Sequence, residues 1–189
     1  PDGGMGSDVE RTLAMLALTA FHDVMKVESL LPKVVPGHAP YDGFKAGDVI
    51  NDHDIALSYV LTHYSQAVPS FVALPTAQQL SIRFTQSKMA FNHGWLVQAE
   101  APPYPLFGPF KQVITSGGAA DADIAFYFVH WLTDLAGAVP APLGGAEKFV
   151  LKFPHPVLGS FIKSFSIIHD LGHASETEVF EAYLEAAWG

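Results

Sequence analysis

The stretch Ala20-Phe21-His22-Asp23-Val24-Met25-Lys26-Val27 decides how the rest of the chain is read, because it sets an adjacent His-Asp pair and a lysine among apolar residues. Leu13, Leu16, Ala17 and Ala20 recur at helical spacing before it, and Val24, Val27 and Leu31 continue the stripe after it. The periodicity predicts one mostly buried helix from about Ser7 to Leu31. A carboxylate inside such a helix is costly unless a cation or hydrogen-bond donors compensate it. A divalent metal held by His22 and Asp23 would do so. The alternative is a core histidine satisfied by a backbone carbonyl, beside an ordinary Asp23–Lys26 pair.

Outward from this stretch, Ser7-Asp8-Val9-Glu10 has the form of a capping box at the start of the first helix. Pro32, Pro36, Gly37, Pro40, Gly43 and Gly47 punctuate a long loop after it, of a length that is usually functional or mobile. Asp52 is placed to cap a second helix that carries Ile55, Leu57, Val60 and Leu61 and ends near Tyr64, with His53 and Asp54 in its first turn. A third helix is expected from Thr76 through Met89, running into Phe91-Asn92-His93-Gly94-Trp95. The prolines of Ala101-Pro102-Pro103-Tyr104-Pro105 predict an extended, non-helical connector, followed by a short amphipathic piece up to Gly117-Gly118.

Ala119 to Ala138 reads as a strongly apolar helix interrupted by His130, Thr133 and Asp134, and a further helix runs from Pro156 to about Asp170. His169-Asp170-Leu171-Gly172-His173 repeats the His-Asp pair but lacks a lysine, and reads as the end of that helix. Ser175-Glu176-Thr177-Glu178 is a second capping box, opening a terminal helix to Trp188. With no period-2 segment, the expected fold is an all-α bundle of about six to eight helices. Residues 7–189 would form a single domain, and residues 1–6 read as a disordered or tag-derived leader.

The 189 residues are 49% hydrophobic and only 15% charged, which excludes a disordered chain. No apolar run approaches the roughly 18 residues that a membrane span needs. A net charge of −9 argues against coating nucleic-acid phosphates. With no cysteine, there is neither a disulfide framework nor a thiolate site, so any metal falls to His, Asp and Glu. These features fit a cytoplasmic protein, for which oligomerisation stays open.

Successive helices each supply an imidazole or carboxylate: His22 and Asp23, then His53, then His93, then His130 and Asp134 at i,i+4 spacing on one helix face. Lys26, Arg83 and Lys88 are candidate phosphate ligands, and Asn92 and Trp95 candidate substrate contacts. His38, His63 and His155 receive no role.

His22-Asp23-Val24-Met25-Lys26 resembles the His-Asp-x-x-Lys signature of the HD-domain superfamily, and Trp131-Leu132-Thr133-Asp134-Leu135-Ala136 is similar to that family's closing motif. The resemblance spans roughly residues 13 to 137. It implies an all-helical metal-dependent phosphohydrolase, with Mn, Fe, Mg or Zn held by His22, Asp23, His53 and Asp134, and with His130 as a further ligand. In this reading Lys26 or His93 stabilises developing charge on a small phosphorylated substrate, and the four principal ligands converge on one point. Two further activities are compatible with the resemblance: a non-catalytic domain that senses a ligand or docks a partner, and a di-iron oxygenase of the myo-inositol oxygenase type. The chain departs from the pattern at Met25, where glycine is common. It also lacks a histidine before His22, as expected of a truncated or divergent member.

Overall fold

The computed structural model describes residues 8–86, 102–117, 121–137 and 155–188. The chain divides into two compact units, residues 1–88 and 89–189. The fold is all-α, with eight α-helices and no β-strand among the described residues. They are α1 (Val9–Phe21), α2 (His53–His63), α3 (Pro69–Val72) and α4 (Thr76–Thr85) in the first unit, and α5 (Pro103–Gly117), α6 (Asp121–Gly137), α7 (His155–Ile168) and α8 (Glu176–Trp188) in the second. None of the described helices is long and apolar enough to cross a membrane.

The first helix is shorter than its apolar stripe suggests. Asp8 caps it, its side chain accepting from the Arg11 amide at 3.0 Å, while Ser7 lies outside the described residues. The helix stops at Phe21, because Asp23 takes φ −93° and ψ 1°, off the helical basin. The chain then continues as two single 3-10 turns, Val24–Lys26 and Glu28–Leu30. The His-Asp pair therefore sits at a helix terminus and not inside a buried helix. The buried face of α1 is also not the expected one: Ala14, Leu18 and Phe21 are buried, whereas Leu13 and Leu16 are 53% and 62% exposed. Apolar residues occur on several sides of this helix, so its periodicity could not single out the face that packs against α3 and α4.

Asp52 caps α2 as expected, its Oδ1 accepting from the amides of Asp54 and Ile55 at 3.1 Å each. Ile55, Ala56, Leu57, Tyr59, Val60 and Leu61 of this helix are buried. The long loop before it is ordered as a compact excursion. Val34 donates to the Asp48 carbonyl and Gly47 to the Val34 carbonyl, while Ile50 donates to the Pro32 carbonyl. Gly47 takes φ +89°, which only glycine adopts readily.

In the second unit the predicted proline connector is instead the first turn of α5, which begins at Pro103 and includes Pro105. Amides in a first helical turn have no intrahelical acceptor, so proline costs little there. The terminal capping box forms as read: the Glu178 carboxylate accepts from the Ser175 amide and hydroxyl at 2.8 and 2.7 Å. Lys111 ties α5 to the start of α8, donating to the Ala174 carbonyl at 2.7 Å and to Glu176 at 3.3 Å.

Candidate metal centre

Two contacts that would make the His-Asp pair merely structural are present, and each leaves the opposite atom of its residue facing a common point. His22 Nδ1 lies 3.0 Å from the Thr19 carbonyl. A carbonyl only accepts, so the Nδ1 proton is donated there and the neutral ring keeps its basic nitrogen at Nε2. Lys26 Nζ donates to Asp23 Oδ2 at 2.7 Å, across one turn of the chain. What remain opposed are His22 Nε2 and Asp23 Oδ1, 3.5 Å apart. The turn Val24–Lys26 packs against α2, and the first residue of α2 brings a second imidazole: His53 Nε2 is 3.9 Å from the same Asp23 Oδ1 and 3.5 Å from Asp54 Oδ1.

The His22–Asp23 separation suits a shared cation, whereas His53 groups with Asp52 and Asp54, with one ligand atom of each within 4.8 Å of the others. Ligand atoms about 2.0–2.2 Å from a tetrahedral ion lie roughly 3.3–3.6 Å from one another. The donors are also graded in exposure: the His22 side chain is 15% accessible and those of His53 and Asp23 are 37% and 43%. The site is open on one side and anchored on the other. The Asp54 carboxyl is pushed above its ordinary value by desolvation first, with repulsion from Asp52 and Asp23 added and attraction to His53 opposing. Asp52, Asp23 and Asp54 thus bring three carboxylates close to one another here. Of these, Asp52 has its Oδ1 engaged in capping α2.

A cavity of about 540 Å³ adjoins the cluster, lined by Met25, Lys26, Glu28, Leu31, Val49, Asn51 and His53. Two of its residues, Lys26 and His53, are members of the cluster itself. Met25 is buried and forms part of this wall. Glu28 and Asn51 had no signal in the sequence, since a cavity wall is made by elements that periodicity does not relate.

The other predicted residues are distributed as follows. His130 and Asp134 lie on α6 of the second unit, and His130 is buried. Arg83, on α4, donates to Thr62 Oγ1 at 3.2 Å and lies over the Phe71 ring at 5.1 Å. Lys88, Asn92, His93 and Trp95 fall outside the described residues. The second His-Asp pair occupies a 3-10 turn, His169–Gly172, at the end of α7, with His169 Nδ1 3.2 Å from Asp170 Oδ1. No family model, curated protein or solved structure matches the chain.

Proposed function

We propose that His22 and Asp23 hold a divalent transition metal and that the protein is a metal-dependent hydrolase of a small phosphoester, as its resemblance to HD-domain phosphohydrolases implies. The observation that carries this reading is the opposition of His22 Nε2 to Asp23 Oδ1 at 3.5 Å. With its proton committed to the Thr19 carbonyl, a neutral His22 presents a lone pair to a carboxylate. That arrangement is repulsive until a cation lies between the two, and an imidazole and a carboxylate are donors suited to Zn, Fe or Mn. When bound, such an ion lowers the pKa of water and polarises a phosphoryl oxygen.

The chain's own residues supply the remainder. Asp23 divides its charge between the metal side and Lys26, and Lys26 lies at the cavity wall, placed to meet an anionic oxygen of the substrate. Thr19 fixes the tautomer of His22 through its carbonyl. Met25, Leu31 and Val49 give the cavity an apolar side for the non-phosphate part of the ligand.

A second reading draws on the Asp23–Lys26 contact at 2.7 Å, which already neutralises one carboxylate oxygen. If a proton on His22 takes the place of the metal, the cluster is a His-Asp-Lys network in a ligand-binding domain without catalysis. The two readings separate on turnover. Protein stripped with a chelator and reloaded with Mn(II) should hydrolyse bis(p-nitrophenyl) phosphate, and Asp23→Asn should abolish the activity. Equal rates in Asp23→Asn and wild type, or no rate in either with metal bound, would reject the hydrolase.

A further inference from the structure

The loop between Pro32 and Ile50 is fastened to α2 at a second cluster of titratable groups, on the same helix as His53 but toward its other end. The His38 ring stacks on the His63 ring with centroids 3.7 Å apart and planes 12° from parallel. His38 Nδ1 is bonded to the Tyr59 hydroxyl at 2.8 Å, and the same oxygen accepts from the Val35 amide at 3.1 Å. Tyr41, at the tip of the loop, bonds Ser58 Oγ at 3.0 Å and stands edge-on to Tyr59 and His63. Every one of these contacts joins the loop to the Ser58–Tyr59–His63 side of α2. Two of the five side chains that meet in the fastening, His38 and His63, are imidazoles.

We propose that the stacked pair His38–His63 is a pH-sensitive clasp that holds the loop on α2 while it carries at most one proton and releases the loop when both rings are charged. One imidazolium over a neutral ring is a favourable stack, because the charge lies over a π face. Two imidazolium rings face to face at 3.7 Å repel, so the second proton belongs to the pair and is opposed by the first. The groups around the pair do not offset a second charge. They are the Tyr41 hydroxyl from the loop, Tyr59 and Tyr64 from the end of α2, and Arg83 from α4. Three are neutral and the fourth is a cation. Consistently, the His63 ring is held below the ordinary histidine value, first by desolvation and then by His38 and Arg83.

The sign of the linkage follows. A histidine whose folded pKa is depressed contributes stability above its unfolded value, near 6.5, and that stability is lost as pH falls below it. The unfastened loop is the state that accepts the second proton. Its release would matter because Val49, at the far end of the loop, walls the cavity beside His53. The clasp itself involves none of the proposed metal ligands and does not depend on their role.

The test is amide hydrogen exchange at Val34, Gly47 and Ile50, whose bonds close the loop, with α4 amides as the reference. After correction for the intrinsic rate, loop opening should rise by about tenfold between pH 7.0 and 5.0 in the wild type. In His63→Phe, which keeps a ring in the stack but cannot titrate, it should stay level. Unchanged wild-type protection, or a His63→Phe loop that opens with acid like the wild type, would overturn the clasp. Should that variant fail to fold, the wild-type His63 ring resonances decide: a midpoint below 6.5 is required, and one at or above it rejects the proposal.

Discussion

At the residue scale, the functional reading of the cluster turns on which atom of each side chain is already engaged. The sequence alone leaves a choice between a metal ligand and a structural pair at His22 and Asp23. The structure contains both structural contacts, to the Thr19 carbonyl and to Lys26, and they aim Nε2 and Oδ1 at each other. That outcome was not legible from residue types, because it depends on where α1 ends. That His22, Asp23 and Lys26 lie close to one another was legible from their spacing, although the helix terminus that holds them was not. His38 and His63, by contrast, gave no signal: one lies in a proline-rich loop and the other in the last turn of α2, and only the folded loop stacks them. A Lys26→Gln substitution separates the roles of the lysine. The pair is largely exposed, so its loss should cost no more than about 1 kcal/mol of stability. Metal affinity should be kept or improved, because the ion no longer competes with the ammonium for Asp23. Phosphoester turnover should fall by about 10²-fold if Lys26 meets the developing charge. Calorimetric metal titration and steady-state rates on one preparation check all three.

At the element scale, the long periodic helices and two of the three capping devices were readable, because their signals are local: Asp52 before α2, and the Ser175–Glu178 box before α8. The failures have physical causes. The extent of α1 was overestimated because apolar residues continue through two 3-10 turns that share the helix's spacing only loosely. The start of α5 was read as extended because three prolines crowd it, although a first turn tolerates them. The identity of the packed face of α1 provides a direct test. Leu18→Ala should destabilise the protein by about 3 kcal/mol, since Leu18 is fully buried. Leu13→Ala, at an exposed position, should change stability by about 0.5 kcal/mol or less. Urea unfolding would show the reverse order if the sequence stripe, and not the Ala14–Leu18–Phe21 face, were buried.

At the scale of the whole molecule, the composition predicted an all-helical fold correctly, because a chain rich in apolar residues and free of period-2 segments has few other ways to satisfy its backbone. Its net charge of −9 suits the attraction of a small cation more than that of a polyanion. The central claim is that His22 and Asp23 together bind a metal ion, and the most direct measurement is the equilibrium binding of Zn(II) or Mn(II) to chelator-stripped protein at pH 7.5. His22→Gln, Asp23→Asn and His53→Gln would be titrated in parallel with the wild type. The proposed centre predicts saturable wild-type binding and a loss of at least about tenfold in affinity for His22→Gln and Asp23→Asn, since each removes a ligand atom, and a smaller loss for His53→Gln. Wild-type protein that binds no ion, or that binds it no more tightly than His22→Gln and Asp23→Asn, would contradict it.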